Sequence, residues 1–294
     1  MEFKMNGVKH HSNKLKILRA VNVYSIKNNS QGIGDYIRGC FCMLQILRKK
    51  NIPFDMDIST HAAQRWLKPT TRYTYRQLEQ INYYECNRPN RLKYIESKLE
   101  KASGLFTFFS NEYPVDPITI EEKIFIRNKL LPSDEMKEYV QHTKNNWGIK
   151  GPYNILHLRC GDSCLVDGEP PIYDLFLCEI QQLTMDSNPC IVLSDSIHMK
   201  ERLRELYPNF IISMDKPIHT CHCTDQEQLK DTMRDFFMFT TASKVYAFSI
   251  YGHGSGYSEW PCKMYDVPYH AKHIQKLGPR PFAISDNALL KISQ

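Results

Sequence analysis

The segment 17–58 constrains this chain more than any other. Leu18, Ala20, Val21, Val23 and Tyr24 fall within an apolar run, 17–26, that reads as a short buried strand. It feeds Asn28-Asn29-Ser30-Gln31-Gly32-Ile33-Gly34, a segment of turn-forming residues. From 35 to 50, Tyr36, Phe41, Leu44, Ile46 and Leu47 recur near helical spacing, and Arg48-Lys49-Lys50 supplies cations suited to a helix C-terminus. A second strand is expected over 52–58. Strand, glycine loop, helix and strand form one βαβ unit, which requires a parallel sheet.

The same alternation resumes later. From 61 to 144 the pattern reads as mostly helical and polar, with an aromatic strand near 105–109 and a helix start at Ser133-Asp134-Glu135 after Pro132. Asn145-Asn146-Trp147-Gly148-Ile149-Lys150-Gly151-Pro152 has the composition of a linker. Beyond it strands are expected at 153–159, 190–193, 210–213 and 244–248, and helices at 172–183, 197–206 and 226–241. In the last helix Leu229, Met233, Phe236, Phe237 and Thr240 share one face. Two α/β halves, 1–149 and 150–294, follow from this pattern, with the closing residues as candidates to return to the first half.

Composition narrows the classes of function. The chain has 294 residues, 42% hydrophobic and 24% charged, as in an ordinary globular protein. Lys and Arg number 38 against 32 Asp and Glu, a net +6 that is scattered apart from short runs. A scattered excess of this size suits a partner with one or two phosphates at least as well as a polynucleotide. No apolar stretch reaches the ~18 residues of a membrane span. Residues 1–16 are polar and basic, unlike a signal peptide. Together with ten cysteines in a chain of this length, these features favour free thiols in a reducing, cytoplasmic setting.

Three segments stand at the C-terminal ends of predicted strands, where open α/β sheets bind ligands. In Gln31-Gly32-Ile33-Gly34-Asp35 the glycines let backbone approach a ligand and aim N–H groups at an anion. In His157-Leu158-Arg159-Cys160-Gly161-Asp162 strand alternation puts His157 and Arg159 on one side, and a guanidinium matches paired phosphate oxygens. Tyr251-Gly252-His253-Gly254-Ser255-Gly256-Tyr257-Ser258, ahead of a helix, describes an anion cradle rather than a flexible surface loop. Between them lies Leu193-Ser194-Asp195-Ser196, whose Asp195 either accepts from a base or ribose or caps the next helix.

Gly32-Ile33-Gly34-Asp35, His157-Leu158-Arg159-Cys160-Gly161-Asp162, Leu193-Ser194-Asp195-Ser196 and Asp235-Phe236-Phe237 with Ser255-Gly256-Tyr257-Ser258 together resemble, in order and spacing, the motifs of a fucosyltransferase superfamily. Its members include Nod-factor, core α-1,6, α-1,2 and protein O-fucosyltransferases. The resemblance spans about 17–262. It implies a GT-B fold, two Rossmann-like domains facing a cleft, and inverting transfer of L-fucose from GDP-fucose to a glycan or glycoprotein hydroxyl, with no metal or other cofactor. It implies further that Arg159 holds the diphosphate and that His157 and Asp195 lie near the guanosine. Ser255, Gly256, Tyr257 and Ser258 would contact phosphate and base, and Gly32 and Gly34 would face them. Inverting attack also calls for a base on the acceptor hydroxyl. Asp35 is the first candidate, by its position at the glycine loop; Asp162, Asp167 and Glu169 are the others. The chain departs from the family where Cys160 replaces a frequent second arginine and Gly256-Tyr257 replaces serine-phenylalanine. Beyond the glycine loop the acceptor domain shows no nameable resemblance, which leaves the acceptor open.

Rival readings rest on weaker features. A different nucleotide sugar, or a GDP- or glycan-binding protein without turnover, uses the same motifs. Arg72-Tyr73-Thr74-Tyr75-Arg76 and Arg88-Pro89-Asn90-Arg91 permit a single-strand nucleic-acid binder, although amphipathic surface explains them as well. His219, Cys221, His222 and Cys223 are dense in metal-ligating types, with Cys262 or His198 as remote partners, but their spacing fits no common zinc site. No base is recognisably paired with Cys160 or Cys164, which are read as incidental.

Overall fold

The computed structural model describes residues 17–25, 31–81, 90–168, 171–183, 186–216 and 218–274. Two sheets carry the fold, and every strand pairing within them is parallel. The first contains β1 (Ile17–Val23), β2 (Phe54–Asp57), β3 (Glu79–Ile81) and β4 (Gly104–Ser110) in the order β2-β1-β4-β3. The second contains β5 (Asn154–Arg159), β6 (Cys190–Ser194), β7 (Ile211–Ile212), β8 (Lys244–Ser249) and β9 (Tyr269–His273) in the order β7-β6-β5-β8-β9. Numbered within its half, that order is 3-2-1-4-5, the doubly wound arrangement.

The helices are α1 (Ile33–Lys49), α2 (Arg91–Glu100), α3 (Ile120–Lys129), α4 (Asp134–Asn146), α5 (Tyr173–Gln181), α6 (Ile197–Leu206), α7 (Lys230–Phe239) and α8 (Gly256–Tyr265). Their ends follow local chemistry. Ser133 caps α4 by accepting from the Met136 N–H at 3.2 Å. Thr119 and Glu122 form a reciprocal capping box at α3. Helix α1 starts at Gly32, carries Asp35 in its first turn and Arg48 and Lys49 in its last, and is buried along most of its length. A Cβ on Gly39 would lie 1.8 Å from the Ser110 carbonyl oxygen, so this helix sits directly against the end of β4.

The core does not divide at the change of sheet. Tyr36, Phe41, Phe108 and Trp66 from the first half pack with Leu229, Met233, Phe236, Trp260 and Met264 from the second. Helix α7 explains how. Its Phe236 and Phe237 enter that shared core, whereas Met238 and Phe239 pack beneath the second sheet with Ile155, Val245 and Ala247. The expected single apolar face is therefore incomplete, because Thr232 through Phe239 are all buried.

Several sequence expectations need correction. The stretch 61–144 holds α2, α3, most of α4 and the expected aromatic strand as β4, and adds an unexpected strand, β3. The three-residue β3 is too short to show alternation, and the edge strand β9, Tyr-His-Ala-Lys-His, is largely polar, with only Tyr269 and Ala271 to mark it. The linker begins later than expected, because Asn145 and Asn146 end α4 and the turn comes at Gly148, φ +69°. The helix expected over 226–241 is shorter, Lys230–Phe239, and the strand at 210–213 contracts to Ile211–Ile212. The return of the last residues falls on 275–294, outside the described residues. Among the described residues no helix is long and apolar enough to cross a membrane.

The tightest link between the halves is backbone on backbone. A Cβ on Gly34 would lie 2.2 Å from the Gly256 carbonyl carbon and 2.6 Å from the Tyr257 nitrogen. Gly34→Ala should therefore push the starts of α1 and α8 apart and destabilise the protein by about 1–3 kcal/mol in denaturant unfolding. Gly151, with nothing within 4 Å of its added Cβ, is the control: Gly151→Ala should stay within about 0.5 kcal/mol of wild type.

Candidate active site

A cavity of about 340 Å³ lies at the C-terminal ends of the strands of both sheets. In the second sheet it opens where the strand order reverses, between β5 and β8, the position where doubly wound sheets bind ligands. Gly32, Gly34, Asp35, His157, Arg159, Asp195, Ser255, Gly256 and Tyr257 all line it. Of the residues expected at the site, Ser258 does not. It is fully buried behind the wall, and its Oγ lies 2.8 Å from His157 Nδ1 and 3.1 Å from Tyr269 Oη.

Arg159 ends β5, and parallel pairing sets it beside Ser249 at the end of β8. Its guanidinium donates to Asp195 Oδ2 at 2.5 Å and to Asp162 Oδ1, and it lies 5.6 Å from the Tyr251 ring centroid. Of the two roles expected of Asp195, capping the next helix falls instead to its neighbour. The Asp195 carboxylate accepts the Cys160 and Gly161 N–H groups at 2.6 and 3.1 Å, while Ser196 caps α6. Asp195 thus fixes the turn that aims Arg159. Gly161 completes that turn at φ +127°, a left-handed value natural to glycine. Asp162 differs from Asp195 in being 62% exposed, and its Oδ2 accepts from Tyr251 Oη at 3.0 Å.

Two helix N-termini converge opposite this guanidinium. Gly32, Ile33 and Gly34 open α1, while Ser255, Gly256 and Tyr257 open α8, and neither helix is capped by the side chain of its own N-cap residue. The first turns of helices present N–H donors and partial positive charge. The loop ahead of α8 is held rather than flexible. Ser249 Oγ donates to the Gly254 carbonyl at 3.2 Å and accepts from the Tyr251 N–H at 3.0 Å, and Gly254 N–H reaches the Tyr251 carbonyl at 2.9 Å.

Asp35 sits in the first turn of α1, with its side chain 31% exposed. Burial pushes its carboxyl above the usual carboxylate range, against the pull of Arg38, His253 and Arg159. Asp162, the second candidate base, is held below that range by Arg159 and by the Tyr251 hydrogen bond, which outweigh burial. Glu169 and the side chain of Asp167 lie outside the described residues. Cys160 lies against this site, but burial pushes its thiol well above its ordinary value, which suppresses the reactive thiolate.

The remaining wall includes Thr232, Asp235, Thr220 and His219, which no local sequence pattern marks as cavity residues. Asp235 Oδ1 is held by Arg234 Nε and Nη2 at 2.9 and 2.7 Å. The Tyr257 hydroxyl donates to the Thr232 carbonyl. Thr220 and His219 arrive on a loop that docks against the first half. Thr220 Oγ1 contacts Tyr24 Oη at 2.8 Å and accepts the Ile33 N–H at 3.0 Å, and its carbonyl lies 3.1 Å from His61 Nε2. The His–Cys cluster thereby buttresses the glycine loop. Cys221 Sγ lies 2.9 Å from His219 Nδ1, with its thiol pushed up to about 11 by burial, and Cys223 Sγ donates to the Asp225 carbonyl. The His222 side chain lies outside the described residues, among which no group of three metal-ligating side chains is found.

Two histidines tie this architecture to pH. Burial lowers His61 from 6.5 to about 4, and burial with the nearby Arg159 charge lowers His157 to about 3. Both are neutral when folded, so the unfolded chain binds more protons below pH 6.5 and the stability they contribute is lost as pH falls toward 4. His61→Gln should remove its share of this dependence. Urea unfolding from pH 7 to 4.5 should show wild type losing on the order of 2–3 kcal/mol more than the variant.

No family model matches the chain, and neither does any curated protein. Solved structures do. A NodZ alpha-1,6-fucosyltransferase soaked with GDP-fucose is 11% identical at a TM-score of 0.51, over 84% of this chain and 92% of that one. Fucosyltransferase NodZ from Bradyrhizobium is 10% identical at 0.51, with the same coverage. A variant of Arabidopsis thaliana FUT1 in complex with GDP is 9% identical at 0.52, over 87% of this chain and 70% of that one. At such identities the likeness is one of fold, and this chain has the GT-B-type α/β fold of the NodZ and FUT1 fucosyltransferases.

Proposed function

We propose that the protein is an inverting glycosyltransferase that moves L-fucose from GDP-fucose to a hydroxyl of a glycan or glycoprotein. The observation that carries this reading is Arg159, at the strand-order reversal of the second sheet, in one cavity with the N-termini of α1 and α8. A guanidinium and two helix ends suit a diphosphate. The ordered motifs and the fold shared with a NodZ soaked with GDP-fucose support the donor.

In this reading the second half, from residue 150, holds the donor and the first half presents the acceptor. A phosphate that takes the outer edge of Arg159 displaces the exposed Asp162 carboxylate into water, while Asp195 keeps the inner edge in place. The acceptor oxygen attacks the anomeric carbon, the carbon–phosphate-oxygen bond breaks, and GDP departs with the electron pair. Arg159 and the helix N–H groups stabilise that developing charge. Asp35 takes the hydroxyl proton, and its raised carboxyl is a stronger base than an exposed aspartate. With the charge met this way, transfer proceeds without a metal and survives EDTA.

Asp235 is the reader of the base. Guanine offers neighbouring N–H donors along its pairing edge, whereas adenine offers an acceptor there, and a carboxylate held by Arg234 at the cavity wall accepts only the former. His157 and Tyr257 add buried ring surface beside it, at 6.0 Å between centroids.

The test is a transfer and hydrolysis screen across nucleotide sugars, run with thermal shifts. GDP should raise the melting temperature more than UDP or ADP does, and equal shifts would remove the guanosine assignment. Arg159→Ala should lower transfer by about 10²–10³ while the fold survives. Asp235→Asn should narrow the gap between GDP and ADP. A GDP-specific shift with no transfer from any donor would instead favour a nucleotide-binding protein without turnover.

A further inference from the structure

We infer that Arg38, one turn along α1 from Asp35 and absent from the cavity lining, is the positioning residue that orients and charges the Asp35 carboxylate. Its side chain is 7% exposed, so its three engagements define where it can be. Nη1 lies 2.8 Å from Asp35 Oδ1, Nε donates to the Asn111 carbonyl at 2.7 Å, and the guanidinium stacks 4.1 Å from the Tyr113 ring centroid. Both Asn111 and Tyr113 follow β4, and Asn111 Nδ2 also donates to Gln31 Oε1 at 2.7 Å, at the head of the glycine loop. The exit of β4 therefore fixes Arg38 and the loop together.

The consequence falls on one oxygen. With Oδ1 held by Arg38, Oδ2 is turned toward Gly32, 3.9 Å from where a Cβ on that residue would sit, and Gly32 lines the cavity. Oδ2 is then the atom offered to a proton. The charged and titratable groups facing Asp35 are Arg38 on its own helix, Arg159 from β5, and His253 from the loop after β8. Tyr24 follows β1, Cys221 belongs to the docked loop, and His219 of that loop brings its ring to 3.3 Å from the same added Cβ on Gly32. Arg38 is bonded to the carboxylate, so it sets the angle as well as part of the charge.

This assignment rests on the reading of Asp35 as the base, and the experiment separates the two. Asp35 is followed by carbon-13 NMR of aspartate-labelled protein in wild type, Arg38→Gln and Arg38→Lys, alongside transfer rates against pH. Losing the cation disfavours the carboxylate, so Arg38→Gln should titrate Asp35 about one to two pH units higher. The acidic limb of transfer should move up with it. Arg38→Lys keeps the buried charge without the planar fork. It should leave the titration near wild type, lower kcat about tenfold and leave KM for the donor unchanged, because only the angle is lost. An Asp35 titration unmoved in folded Arg38→Gln overturns the proposal. So does a loss in Arg38→Lys that appears in KM or in GDP stabilisation rather than kcat. A shifted titration in a protein that transfers no sugar leaves Arg38 in its role and removes the function reading instead.

Discussion

Backbone contact between the first turns of α1 and α8, at Gly34 and Gly256, is the constraint on which the rest of this structure depends. Each helix follows a strand of a different sheet, so the contact sets the distance and angle between the two C-terminal sheet edges. Only glycine at 34 allows it. The shared apolar core formed by Phe41, Phe236, Trp260 and Met264 then holds the two helices at that spacing. Docking of Thr220 onto Tyr24 and the Ile33 N–H adds a polar clasp at the same level. The cavity is what remains between these contacts.

Its electrostatics combine one inward guanidinium with carboxylates in unequal settings. Asp195 and Asp235 are buried and each bonded to an arginine, so they act as fixed anchors. Asp162 is exposed and can exchange its partner for another anion at little desolvation cost. Asp35 is intermediate, with one oxygen engaged and burial raising its proton affinity. Carboxylates at one site thus differ in chemistry because their solvation and partners differ.

Much of this was legible in the sequence. Apolar runs located β1, β5, β6 and β8 to within a few residues, since buried parallel strands are written as continuous hydrophobic stretches. The glycine segments and Arg159 stood out because ligand sites in such sheets lie at strand ends. Less legible were β3 and β9, short edge strands of largely polar composition that carry too little apolar pattern to stand out. Arg38 reads as one more cation on a helix, and nothing local reveals that the exit of β4 buries it. The His–Cys run invited a metal reading by residue type, whereas its visible role is to brace a loop from the opposite half.

The sequence alone determined the local elements, the parallel class and the residues at strand ends, because each follows from short-range periodicity, backbone preference and side-chain chemistry. Only the tertiary structure decided which of those ends meet, that Ser258 stands behind the wall while Asp235 stands in it, and that Asp195 orients Arg159. Such outcomes depend on contacts between residues separated by tens to hundreds of positions, and no local pattern encodes the distances that long-range packing imposes.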